Sequence, residues 1–167
     1  MSRAIVTGSF DPITVGHEDL IRRAASVFDE VIVVVADNRG KDYLFTPEQR
    51  LQFVQLTCAG MPGVSVRFSP RMLYEFCREL DTFTVCKGVR NAEDLAWENE
   101  QAVWNRERDG RIETVYLPSD PAFADVSSTR VREALRNGGS VDGLVPEKAK
   151  TAIEQAAKQN LNEQGGF

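Results

Sequence analysis

The only histidine of the chain, His17, closes the segment Gly8-Ser9-Phe10-Asp11-Pro12-Ile13-Thr14-Val15-Gly16-His17, between an apolar run and a helical pattern. Gly8 permits a sharp turn and Gly16 lets a ligand approach the backbone with no Cβ in the way. A helix start offers unpaired N–H groups and a positive dipole end, which together favour phosphate. An imidazole there donates to a phosphate oxygen, and that bond strengthens as negative charge grows in a phosphoryl-transfer transition state. A short glycine motif alone reads as an ordinary βα turn. Here a glycine pair, a proline turn and a histidine coincide, which favours a phosphate site. Further along, Lys87-Gly88-Val89-Arg90 sets two cations around a glycine, and Ser127-Ser128-Thr129 opens a helix with three hydroxyls. The serines also read as simple N-caps. Lys41 by itself reads as a solvated loop lysine. No nucleophile with an adjacent base is evident, so positioning and charge neutralisation carry any phosphate chemistry.

These residues need elements to hold them. Arg3–Val6, Val31–Ala36, Val64–Phe68, Thr82–Lys87 and Glu113–Leu117 read as strands, the second buried on both faces. Helical patterns lie between them: Leu20, Ile21, Ala24, Ala25 and Phe28 form one face, and Leu73, Phe76, Cys77 and Leu80 another. Thr46-Pro47-Glu48-Gln49 gives an N-cap, a proline at N1 and a capping-box Gln. A capped helix after Ser127 stops at Gly138-Gly139, and a last amphipathic helix starts on Pro146, with the tail Asn162–Phe167 expected to fray. Strands alternating with helices imply right-handed βαβ units and a doubly wound, mainly parallel five-stranded α/β sheet in a single domain over residues 1–167. Ligands then sit beyond the C-terminal strand ends, where the strand order reverses. The Lys87–Arg90 turn ends the fourth strand, on that side.

Composition narrows the class. The formal charge of −5 argues against wholesale binding of nucleic acid or an anionic membrane. No apolar run approaches the roughly 18 residues of a membrane span. The three cysteines, Cys58, Cys77 and Cys86, follow no CxxC spacing and suit buried thiols in a reducing cytoplasm.

The segment Gly8–His17 resembles the signature of nucleotidyltransferases with a (T/H)xGH motif, and most closely that of the bacterial phosphopantetheine adenylyltransferase family, in which Thr14 matches the Thr form. Lys41 before Phe45-x-x-x-x-Arg50, the KGVR turn, Asp94-Leu95-Ala96-Trp97-Glu98, the serine helix start and the Leu144-Val145-Pro146-Glu147 ending are similar to family segments. The resemblance implies a Rossmann-like nucleotidyltransferase fold and transfer of the adenylyl group of ATP to 4′-phosphopantetheine, giving dephospho-coenzyme A and pyrophosphate. It implies His17, Lys41 and Arg90 as catalytic residues. ATP contacts fall on Ser9, Phe10, His17, Gly88, Val89 and Arg90, with Glu98, Phe123, Val126, Ser127, Ser128 and Thr129 on the nucleotide side. The acceptor falls to Ser9, Lys41, Leu73 and Lys87. Mg²⁺ is the implied cofactor, held mainly by ATP phosphates and water with no metal site of the protein's own. A cytoplasmic homohexamer is also implied.

Some positions depart from the family pattern: Thr7, Val15, Ala96 and the run Phe123-Ala124-Asp125, all near the expected nucleotide side. Ser127-Ser128-Thr129-Arg130-Val131-Arg132 is closer to the SSTxIR motif of nicotinate-mononucleotide and flavin-mononucleotide adenylyltransferases. An adenylyl- or cytidylyltransferase for another phosphorylated acceptor is therefore one alternative, and a non-catalytic nucleotide-binding module is another.

Overall fold

The computed structural model of the chain describes residues 1–165. Five parallel strands, β1 (Arg3–Gly8), β2 (Glu30–Ala36), β3 (Val64–Ser69), β4 (Thr84–Val89) and β5 (Glu113–Pro118), lie in the order β3-β2-β1-β4-β5. The helices are α1 (Val15–Val27), α2 (Pro47–Cys58), α3 (Leu73–Glu79), α4 (Ala92–Arg108), α5 (Ser128–Arg136) and α6 (Glu147–Gln164), with one 3₁₀ turn at Pro121–Phe123. All five expected strands are present; the second ends at Ala36 as expected, the other four end one or two residues beyond the run that marks them, and the fourth starts at Thr84 rather than Thr82. Among the described residues no helix is long and apolar enough to cross a membrane.

Side-chain alternation along the strands splits the core into two layers. Ala4 and Val6 of β1, with Val31, Val33 and Val35 of β2, face Ile21, Phe53, Val131 and Ile153 from α1, α2, α5 and α6. Ile5, Ile32, Val34 and Val85 face the other way, onto Phe76 and Cys77 of α3 and onto Ile112. Full burial of each Val, Ile or Phe side chain among these stabilises by about 1.5–3 kcal/mol. Both faces of β2 are covered, so its valine run needs no polar alternation.

The expected helix starts hold. Thr46 caps α2 by accepting from the Gln49 N–H, and Gln49 returns the bond to the Thr46 N–H. Ser127 caps α5 through the Arg130 N–H. Helix α4 is not among the helices read from the sequence: only Asn105 of it is buried, while Trp97 and Val103 face outward, so the apolar stripe that marks a packed helix is missing. At the end, Asn162–Gln164 continue α6 rather than fray, and Gly166 and Phe167 lie outside the described residues. The strand order reverses between β1 and β4, and the loops above that point carry the candidate residues.

Candidate active site

Two adjoining cavities open over the C-terminal strand ends. The larger, about 600 Å³, is walled by Ser9, Asn38, Leu73, Trp104 and Asn105 among others. The smaller, about 250 Å³, is walled by Gly16, His17, Gly88, Arg90, Phe123 and the Val126–Ser128 segment. Thr7, Lys87 and Glu98 line both, so the cavities meet at these three side chains.

The imidazole is fixed by the helix that carries it. Thr14 is the N-cap of α1 and His17 is its N3 residue. The His17 N–H donates to Thr14 Oγ1 at 3.3 Å, and the Thr14 N–H donates to His17 Nδ1 at 3.0 Å. This is a capping box with imidazole in the place usually held by Glu or Gln. A ring nitrogen that accepts a backbone N–H carries no proton, so the neutral ring bears its proton on Nε2 and is a donor there. The half-buried ring sits edge-on to Phe10, with centroids 5.0 Å apart. Burial, and then the nearby charges of Arg90 and Lys87, lower its pKa from 6.5 to about 4. The ring is neutral at physiological pH.

The same helix start leaves one amide free. The Val15 N–H donates to the Leu144 carbonyl at 3.0 Å and the His17 N–H to Thr14, while the Gly16 N–H has no acceptor among the described residues and Gly16 lines the smaller cavity. Gly16 meets only ordinary contacts around the place of a Cβ, so its value is an uncovered amide at the positive end of the helix. Gly8, read from the sequence as a sharp turn, instead ends β1 with a backbone that is not left-handed, and a Cβ there would stand in ordinary contact with the Phe10 ring, 3.4 Å away. The left-handed residue of the loop is Phe10 itself, at φ 50°.

Lys87 projects from β4 into the junction, 3.6 Å from Glu98 of α4. Arg90 stands 3.8 Å from Asp94, whose carboxylate also accepts the Arg90 N–H at 3.1 Å. Ser9 and Leu73 line the larger cavity, and Gly88, Phe123, Val126, Ser127 and Ser128 the smaller. Four expected site residues line neither. Phe10 is buried beneath the loop, Val89 pairs with Pro118 in the sheet, and the Thr129 hydroxyl accepts from Arg132. Lys41 is exposed on the loop after β2, its Nζ 6.0 Å from the Tyr43 ring. The Ser128 hydroxyl donates to the Pro12 carbonyl at 2.8 Å, tying α5 to the first loop, so it serves the scaffold. Asp125 is exposed and its carbonyl accepts from Arg130 at 3.0 Å.

Sequence reasoning missed two buried charges. Both oxygens of Asp11 accept backbone N–H groups, from Leu44 and Phe45 at 3.0 Å each, and Arg132 donates to the Asp11 carbonyl at 2.8 Å. Arg50 of α2 is fully buried under the same loop. The signal was present in Phe45-x-x-x-x-Arg50, where an arginine stands on the apolar side of a capped helix, but a side chain so long usually snorkels outward.

The cytidylyltransferase-like family matches residues 5–134. The chain is 41% identical over 146 residues to a phosphopantetheine adenylyltransferase of a Nocardioides species, covering 87% of this chain and 91% of the relative. It is 39% identical over 158 residues to the Micrococcus luteus protein of the same name, covering 94% and 100%. A third of that name, from Symbiobacterium thermophilum, is 42% identical over 146 residues, with 87% and 90% covered. Among solved structures, one described as a candidate nicotinate-nucleotide adenylyltransferase from Vibrio parahaemolyticus superposes with a TM-score of 0.66 over 94% of this chain and 95% of that one, at 18% identity. At that identity the likeness carries the fold alone.

Proposed function

The chain belongs to the phosphopantetheine adenylyltransferases within the cytidylyltransferase-like family, and we propose from that membership that it transfers the adenylyl group of ATP to 4′-phosphopantetheine. The products are dephospho-coenzyme A and pyrophosphate. The observation that carries the reading is the pair of cavities joined at Thr7, Lys87 and Glu98, beside a neutral histidine held on a helix start. The larger cavity takes the acceptor and the smaller one the nucleotide. An oxygen of the acceptor phosphate attacks the α-phosphorus of ATP, and the bond from that phosphorus to the β-bridging oxygen breaks, releasing pyrophosphate.

In this reading the chain positions the reactants and neutralises charge. His17 donates its Nε2–H to a nucleotide phosphate oxygen, and the Gly16 N–H supports it from the helix end. Arg90, with Gly88, binds the β- and γ-phosphates, while Phe123, Val126 and Ser127 form the nucleotide side; Val89 and Thr129 support these through the sheet and the Arg132 contact. Glu98 accepts from a nucleotide hydroxyl. Lys87, at the junction, holds the acceptor phosphate, and Ser9 and Leu73 bind the acceptor along the larger cavity. Lys41 joins Lys87 there: its N–H donates to the carbonyl of Asn38, which lines that cavity, and its flexible stem gives the ammonium reach. Of the four carboxylates lining the smaller cavity, Asp19, Asp94 and Glu98 are each paired with a cation, and Asp120 accepts the Ala122 N–H. Bound Mg²⁺ would be held mainly by ATP phosphate oxygens and water rather than by these carboxylates, and would supply further charge neutralisation.

We also propose that residues 1–167 act as one domain and assemble as a homohexamer in the cytoplasm. Exposed Trp97, Val103 and Val115 support self-association, and three unpaired buried thiols suit a reducing compartment. The test incubates the purified protein with ATP, Mg²⁺ and, separately, 4′-phosphopantetheine, nicotinate mononucleotide or flavin mononucleotide, and follows pyrophosphate. Release with the first and little with the others is expected. Release only with a mononucleotide acceptor would overturn the acceptor assignment.

A further inference from the structure

Arg50 has no part in the chemistry described above, yet it is the largest fully buried side chain of the protein. Its Nη1 donates to two carbonyls, Ser9 and Ala36, at 2.8 Å each, and its Nη2 reaches Asp37 Oδ1 at 2.6 Å. The guanidinium lies over the Tyr43 ring, 3.9 Å from its centroid, and its Nε has no partner among the described residues. Ser9 follows β1 and Ala36 ends β2, so one cation gathers the carbonyls at the ends of two neighbouring strands.

The Ser9 carbonyl belongs to the peptide that enters Phe10, and Phe10 is left-handed. For a residue with a Cβ that conformation is unfavourable and persists only where the surroundings impose it. A planar trans peptide points its N–H opposite to its C=O. With Arg50 holding the oxygen, the Phe10 N–H is turned away from Arg50, and it has no acceptor among the described residues. An arginine spent on carbonyls and an amide left unpaired are two observations with one explanation.

We infer that Arg50 is a positioning residue of the phosphate subsite: by holding the Ser9 carbonyl it keeps the strained Ser9–Phe10 turn in the form that presents the Phe10 N–H to a phosphate oxygen of the bound nucleotide or of pyrophosphate. The inference rests on the phosphate-binding reading of the first loop. Lysine cannot replace the arginine, because a point-like ammonium cannot span two carbonyls and a carboxylate from one buried position.

The experiment compares wild type with Arg50→Lys, Arg50→Met and Asp37→Asn, each checked for folding by circular dichroism. Pyrophosphate binding is measured by calorimetry, and kcat and both KM values by pyrophosphate release. Arg50→Lys and Arg50→Met should weaken pyrophosphate binding at least tenfold and lower kcat per folded molecule by about 10- to 100-fold, in line with misplaced contacts around a reacting group. KM for ATP should rise more than KM for the acceptor, a split that mere loss of folded protein would not give. Asp37→Asn keeps both carbonyl bonds and should weaken pyrophosphate binding two- to fivefold. Folded Arg50→Lys with wild-type pyrophosphate affinity overturns the inference. If neither Arg50 variant folds, unchanged pyrophosphate affinity in Asp37→Asn overturns it. Failure of the wild type to use 4′-phosphopantetheine would sink the proposed activity, while the pyrophosphate measurements still decide the role of Arg50.

Discussion

The two ring nitrogens of His17 do different work, and two substitutions separate them. His17→Asn sets an amide oxygen close to the place of Nδ1, where it accepts the Thr14 N–H, and it removes the Nε2 donor. His17→Gln supplies the usual N3 member of a capping box, an Oε1 that accepts the Thr14 N–H as Gln49 accepts the Thr46 N–H, and its amide also brings an N–H toward the cavity. His17→Asn should therefore fold with nearly wild-type Tm and lose about 10²- to 10³-fold in kcat, the usual loss for one transition-state donor. His17→Gln should keep the cap, and with it nearly wild-type Tm, and retain a larger share of kcat than His17→Asn. Stability against pH gives a second reading of the same ring. Its folded pKa is about 4 against 6.5 for the free group, so between those values the unfolded chain binds more proton. The stability that depends on the neutral ring is complete above about pH 6.5 and is lost as pH falls through 4, with a slope of at most about 1.4 kcal/mol per pH unit. Asp29 and Asp142, whose pKa values are lowered by bonds from Ser2 and Lys150, also lose stability in acid, and they do so equally in His17→Asn. Denaturant unfolding from pH 4 to 7 should show wild type losing more stability than His17→Asn. Parallel curves, together with equal kcat losses in the two variants, would refute the assignment of a neutral, Nε2-protonated ring.

Lys87→Ala should raise KM for the acceptor at least tenfold, through loss of a charge-assisted phosphate contact of about 1.5 kcal/mol or more, while Arg90→Ala should chiefly raise KM for ATP; a reversed pattern in steady-state kinetics would exchange the two cavities. Lys41→Ala, on an exposed loop, should raise acceptor KM less than Lys87→Ala does. Gly63→Ala should destabilise by about 2 kcal/mol or more in urea unfolding, because Gly63 is left-handed at φ 71° and a Cβ would meet the Asp29 carbonyl oxygen at 2.6 Å. Burial raises the thiol pKa of Cys58 to about 11 and of Cys77 to about 12, and raises that of Cys86, so a thiol reagent at pH 8 should label none of them until the protein unfolds.

The strands were legible because period and composition agree: a run such as Val31–Val35 fits only a sheet covered on both faces. The capped starts of α2 and α5 were legible because caps are local, written in three or four consecutive residues. His17 was found as a lone imidazole on a helix start, but not its partnership with Thr14, since imidazole is an unusual third member of a capping box. What lay beyond the sequence depends on distance through space. The Lys87–Glu98 contact joins residues on β4 and α4, and the Asp11 bonds to Leu44 and Phe45 span 33 and 34 positions. Nothing local marks either. Helix α4 escaped for the opposite reason: its outward Trp97 and Val103 blur the stripe that local reading depends on.

The central strand is unevenly joined to its neighbours. β1 runs in register with β2 from Arg3–Glu30 to Gly8–Val35, whereas among the described residues it meets β4 in register at Ile5–Val85 alone. The first three strands are contributed by residues 3–69 and form one leaf of the sheet; β4 and β5 form the other. The seam between the leaves is where the strand order reverses, and the smaller cavity straddles it, taking Thr7 and His17 from one side and Lys87 and Arg90 from the other. Long-range pairing comes late in folding, because the intervening chain must first be ordered. The pocket is thus finished by the closing of the seam, and any anion bound there acts as a clasp across it, raising the free energy of parting the leaves in proportion to the logarithm of its concentration once the site is saturated.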